Sequence, residues 1–135
     1  MRRTLLLATT LLFADTRQEV MDVFASMAAA LSEGNPSAFV RAVDPSMPGY
    51  AALARNVNAL ATQNEVTSAI EIAKQEGDDR AQTVELDWLL EIRGKDQSHV
   101  FVRRQAIVKC RAERLKGRWR VVSLEPVDFF APPGV

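Results

Sequence analysis

Arg104 is the side chain whose type and spacing carry the most chemistry, because it stands between Val102 and Ala106 on an alternating apolar strand face. A charge on a core-directed face costs several kcal/mol unless something compensates it. A planar guanidinium there could hold a ligand carboxylate or phosphate through two parallel hydrogen bonds. A backbone bulge at Arg103-Arg104 that turns it to solvent, or an ion pair with an internal acid, would satisfy it as well. Asp44 and Tyr50 flank the turn-rich stretch Pro45-Ser46-Met47-Pro48-Gly49. They pair an acid with a phenol, or serve as a helix stop and the first apolar residue of the next helix. Trp88 floors a pocket or fills a core. His99, the only histidine, begins a strand with no partner the sequence identifies, and Cys110, the only cysteine, reads as a small buried hydrophobe.

These residues rest on two kinds of element. Thr16-Arg17-Gln18-Glu19 is a capping box that predicts a helix start, and Val20, Val23, Phe24, Met27, Ala28 and Leu31 continue it at helical spacing to a stop at Gly34. Asn35 caps a short second helix with Pro36 at its first position, ended by Asp44-Pro45. Tyr50, Leu53, Ala54, Val57, Leu60 and Ala61 mark a third helix closing near Asn64. The period then changes to two. A first strand over about 65–75 places Val66, Ser68, Ile70 and Ile72 on one side, and Glu76-Gly77-Asp78-Asp79 turns the chain. A second places Val84, Leu86, Trp88, Leu90 and Ile92 together. A third, about 99–115, places Val100, Val102, Ala106, Val108, Cys110 and Ala112 together. Lys116-Gly117 leads into a fourth, about 118–127, with Pro126 and Pro132-Pro133 marking its end and a tail.

The opposite strand faces carry Glu85, Asp87 and Glu91 on the second strand and Arg103, Lys109 and Arg111 on the third. Cross-strand ion pairs are the plain reading of that face. Leu89 and Ile107 interrupt it and could seed a sheet-to-sheet homodimer.

With 135 residues the chain makes one domain, and 17 basic against 17 acidic residues give no net field to attract nucleic acid. No metal-ligand spacing, nucleophile motif or phosphate loop appears, so neither a metal nor a cofactor is expected. Arg2 and Arg3, then the apolar Thr4 to Phe13, then Ala14 before Asp15-Thr16-Arg17, have the layout of a secretory signal. The expected organisation is a cleaved signal over 1–14, a domain over 15–130 and a tail over 131–135, with a periplasmic or secreted address and no integral membrane segment after cleavage. An N-terminal helical segment that stays attached is the alternative.

The expected fold class is α+β, with three N-terminal helices packed on a strongly curved, mainly antiparallel four-stranded sheet that forms a cone. The helix end Ala29-Ala30-Leu31-Ser32-Glu33-Gly34-Asn35, the short helix Pro36 to Val43 before Asp44, and the closing Gly117-Arg118-Trp119-Arg120-Val121-Val122 strand carry a resemblance. In that succession the chain resembles the nuclear transport factor 2-like, cystatin-like superfamily over nearly everything after Ala14. The resemblance implies a cone whose opening lies near Asp44 and Tyr50. Enzymes of that superfamily, among them ketosteroid isomerases, scytalone dehydratases and polyketide cyclases, place aspartate, histidine and tyrosine inside the cone. Here the inward faces are mostly aliphatic, and no catalytic residue carries over by motif. The expected function is therefore non-catalytic binding of a small apolar or anionic ligand, or of a partner, with Arg104, Tyr50, Asp44 and Trp88 as binding residues. An isomerase, dehydratase or cyclase using Asp44 or His99 as base and Tyr50 as donor is a second reading. A structural homodimer with a filled cone is a third.

Overall fold

The computed structural model describes the backbone of residues 2–96 and 100–133 and the side chains from Asp15 onward; His99 lies outside the described residues. Helix α1 (Arg2–Ser32) is followed by α2 (Pro36–Arg41), α3 (Tyr50–Gln63), β1 (Asn64–Gly77), β2 (Ala81–Gly94), β3 (Phe101–Leu115), β4 (Arg118–Glu125) and a 3-10 turn, η1 (Val127–Phe130). The strands form one antiparallel sheet in the order β1-β2-β3-β4. A parallel bridge between Val43 and Val121 ties the end of the helical layer to β4.

Helix α1 does not start at Thr16. The helix is already under way there, so the Thr16 amide is an interior group and a capping box has nothing to cap. The Glu19 carboxylate instead accepts hydrogen bonds from Arg114 Nη2 (2.9 Å) and Trp119 Nε1 (3.0 Å), fastening α1 to the β3–β4 hairpin. Gly34, at φ 69°, ends the helix as expected, with its N–H on the Leu31 carbonyl and the Asn35 N–H on the Ala30 carbonyl. Asn35 caps α2 by accepting the Ala38 N–H at 3.2 Å. Among the described residues no helix is long and apolar enough to cross a membrane.

The helices bury one face of the sheet. Val84, Leu86, Trp88, Leu90 and Ile92 on β2 are all buried, as are Val108, Cys110 and Ala112 on β3, against Phe24, Met27 and Leu31 of α1 and Leu53, Val57 and Leu60 of α3. Alternation holds through β2 because that strand is central, with a neighbour fixing its register on each side. Burial fails at the ends. Ile72 keeps the expected facing, opposite the buried Leu86, but is 50% exposed, because the far end of β1 lies beyond the helical cover; the register shifts only after it, before Lys74. Val100, just before β3, is likewise exposed. Strand β4 stops at Glu125 rather than near Val127, and a cis Glu125–Pro126 bond precedes η1. That turn returns Phe129 and Phe130 to the core, so the expected strand end is a separate apolar element.

Candidate functional site

Of the four expected binding residues, Trp88 and Arg104 both meet the segment after β4, and Asp44 and Tyr50 flank the loop between α2 and α3. Trp88 is fully buried on β2 and donates its indole N–H to the Ser68 hydroxyl at 2.8 Å. Around it the floor of the cone is aromatic. The Phe130 ring stands edge-on to Trp88 at 5.0 Å between centroids, and Phe39 lies 5.3 Å from Phe130 and 6.3 Å from Trp88. Phe129 adds a second edge-on contact to Phe130 at 5.1 Å. Such pairings add roughly 0.5–1.5 kcal/mol each beyond simple burial. This part of the cone is filled by the chain's own rings.

Arg104 stays on the inward face. The β2–β3 ladder runs without a shift through Glu91–Arg103 and Leu90–Arg104, so the expected bulge at Arg103-Arg104 is absent; the shifts fall at Ile72/Lys74 and Arg111/Ala112. Among the described residues no direct ion pair compensates the guanidinium. Arg104 Nη1 donates to the main-chain carbonyl of Phe129 at 2.9 Å and to that of Ala131. Partial burial holds the guanidinium below its ordinary value, offset in part by the negative charge of Asp128. The arginine thus clamps the segment after β4 over the aromatic floor.

Asp44 and Tyr50 flank the loop between α2 and α3, whose Gly49 lies against Val127 at the start of η1. The Asp44 amide donates to the Val121 carbonyl at 2.8 Å, holding the loop to β4, and its carboxylate accepts the Ser46 hydroxyl within the loop. Tyr50 opens α3 half-buried, packed against the core, with its amide on the Met47 carbonyl. Cys110 is buried, and burial pushes its thiol up to about 12. No group of three or more histidine, cysteine, aspartate or glutamate residues able to hold a metal ion occurs among the described residues.

The outer face differs in detail from the expected ladder of cross-strand ion pairs. Register sets Glu85 opposite Lys109 and Glu91 opposite Arg103. The close contacts, however, are Gln105 Nε2 to Asp87 at 3.0 Å and Arg111 to Glu113 at 3.0 Å along one strand. Ile107 is 44% exposed on that face, with Leu89 half-buried nearby. A surface cleft of about 640 Å³ lies elsewhere, between the end of α1 and the β1–β2 ends, lined by residues including Glu33, Glu65, Glu91, Arg93, Lys95 and Phe101. It contains none of the expected residues.

The element that sequence reasoning missed is η1. Its signal was present: Val127, Phe129 and Phe130 form an apolar cluster just after Pro126, too rich in large side chains for a solvated tail.

No family model matches the sequence, and neither does any curated protein. Solved structures do. A nuclear transport factor 2-like protein with a cystatin-like fold from Novosphingobium aromaticivorans superposes with a TM-score of 0.67 at 17% identity, covering 87% of this chain and 84% of that one. A nuclear transport factor 2-like superfamily protein from Salmonella enterica serovar Typhimurium gives 0.69 at 13% identity, covering 90% and 94%. A Novosphingobium aromaticivorans protein provisionally named a scytalone dehydratase gives 0.69 at 11% identity, covering 82% and 85%. At these identities the likeness is one of shape, and the chain has the nuclear transport factor 2-like, cystatin-like cone fold.

Proposed function

We propose that the chain is an exported binding domain that takes up a small, partly apolar anion at the Arg104 end of the cone without transforming it. The observation that carries this reading is the state of Arg104. Of the two charged side chains on the inward face of β3, Arg114 pairs with Glu19 of α1, whereas the described partners of Arg104 are neutral carbonyls. A guanidinium so placed is already partly desolvated and oriented, and a ligand anion would gain two charge-assisted hydrogen bonds from it.

Two fold neighbours carry provisional enzyme names, an aromatic ring hydroxylase and a scytalone dehydratase. Fold alone transfers neither activity. Proton transfer needs an acid or base within reach of a bound substrate, whereas the described inward residues of β2 and β3 are mostly aliphatic, and the polar ones among them, Gln82, Arg104 and Arg114, include no carboxylate. Asp44 is occupied with Ser46 and the β4 backbone. These placements support binding over catalysis.

Export rests on the charged, then apolar, then Ala14 layout of the first residues. Native against denaturing mass spectrometry on the chain recovered from its own host tests both parts. The expected result is a mature chain starting at Asp15 with an extra small mass that denaturation releases. An intact chain from Met1 would overturn export, and failure to bind any apolar anion in a direct titration would overturn binding.

A further inference from the structure

The segment that Arg104 holds has the chemistry of a ligand. Phe130 presents a flat ring to a slot walled by Trp88 and Phe39, and the carbonyls on either side of it, at Phe129 and Ala131, present oxygens to the guanidinium. Ring and oxygens are joined by a short stretch of main chain. Beyond the burial of its two rings the segment has few hydrogen bonds: η1 is a single turn of four residues, with the Phe129 amide on Pro126 (3.2 Å), the Ala131 amide on Asp128 (3.1 Å), and a long 3.5 Å contact from Asn56 to the Val127 carbonyl.

We infer that residues 127–131 are a built-in occupant of a binding site for aromatic monocarboxylates, and that such a ligand enters by displacing them. Its ring takes the Phe130 slot and its carboxylate replaces the two carbonyls on Arg104. This inference rests on the binding reading above and names its ligand class. The exchange favours the ligand at the charged end, because a carboxylate matches the planar fork with a full negative charge where a peptide carbonyl offers only a dipole. At the apolar end it is close to even, one ring replacing another in the same edge-on surroundings. An aliphatic acid would keep the first gain and lose the fit of the slot. An uncharged arene would keep the slot and lose the first gain.

The closed segment lowers the apparent affinity by the fraction of molecules in which it is open, so removing its ring should tighten binding by about tenfold or more. The test uses 2-naphthoate, followed by fluorescence titration and by hydrogen exchange on the full chain. Phe130→Ala is expected to bind 2-naphthoate more tightly than the unaltered chain, and adding Arg104→Gln is expected to abolish that gain. In the unaltered chain, saturating 2-naphthoate is expected to speed exchange over residues 127–131 while β2 and β3 keep their protection. Should Phe130→Ala fail to fold, the exchange result on the unaltered chain decides. Binding that leaves 127–131 protected, or that ignores Arg104→Gln, overturns this inference and leaves the binding reading standing. No binding of 2-naphthoate or of any other apolar anion, to either chain, overturns both.

Discussion

The indole N–H of Trp88 and the hydroxyl of Ser68 meet at 2.8 Å across the β1–β2 ladder, which gives the largest side chain of the core its polar partner. Ser68→Ala leaves that buried donor unpaired and is expected to cost about 1–3 kcal/mol. Trp88→Phe in the Ser68→Ala background removes the orphaned group, so the two changes together should be less than additive. Urea unfolding of the four chains checks this. Strict additivity would show that the bond contributes nothing to stability.

The β3–β4 hairpin turns on two left-handed residues, Lys116 at φ 52° and Gly117 at φ 79°. A two-residue turn of this kind suits the strand twist and favours Asn-Gly, whereas lysine there is strained by its Cβ. Lys116→Asn should stabilise the chain by up to about 1 kcal/mol, read as a higher unfolding midpoint. Gly117→Ala should lower the midpoint although nothing lies within 4 Å of the added carbon, since the penalty is one of backbone and not of space.

At the other hairpin, the Asp78 carboxylate accepts the amides of Arg80 (2.9 Å) and Ala81 (3.0 Å). Those two bonds, with a smaller contribution from the Arg80 charge, hold its pKa below the ordinary carboxylate value. A depressed folded-state pKa stabilises above the unfolded value and is lost as pH falls through the folded one. Asp78→Asn keeps an oxygen acceptor and removes the charge. Its deficit against the unaltered chain should therefore be constant near neutrality and shrink as the pH drops below the ordinary carboxylate range. Melting temperatures across an acid series measure it, and a deficit that persists unchanged in strong acid would refute the assignment.

Cys110 gives the opposite sign. Burial raises its thiol pKa from 9.0 to about 12, so the folded chain keeps a proton that the unfolded chain releases. Stability is full below the unfolded value and falls as pH rises from there toward the folded one. Cys110→Ala should flatten that alkaline decline. A thiol reagent at pH 8 should label the denatured chain fully and the folded chain hardly at all.

What could be read from the residues alone follows from how local each determinant is. The inward set of β2 was legible, from Val84 to Ile92, because a central strand with one covered face must alternate. Asn35, Pro36 and Gly34 announced the ends of α1 and α2 through their own backbone chemistry. Ile72 faces the expected side, opposite Leu86, yet is exposed because no helix covers that end of β1, which strand alternation does not reveal. Thr16 and Glu19 satisfied a capping pattern, yet the helix continues through them and Glu19 bonds to residues on a distant hairpin. For the candidate site, the anomaly at Arg104 was visible as a charge among apolar neighbours, and its partners were not. They are main-chain carbonyls, which any sequence supplies and none marks.

Since β1 to β4 lie in the sheet in the order in which they follow along the chain, most of the sheet's register can be set by closing short loops, without a search between remote segments. Contacts such as the Val43–Val121 bridge and the seating of Phe130 on Trp88, which join parts of the chain far apart in sequence, do not share that economy. Both are expected to form after the folding barrier. Lesions at Val121 or Phe130 would then hasten unfolding and leave the refolding rate nearly untouched, so that the lifetime of the native state, and not the speed of reaching it, is governed by the seam where the two ends of the chain meet the sheet.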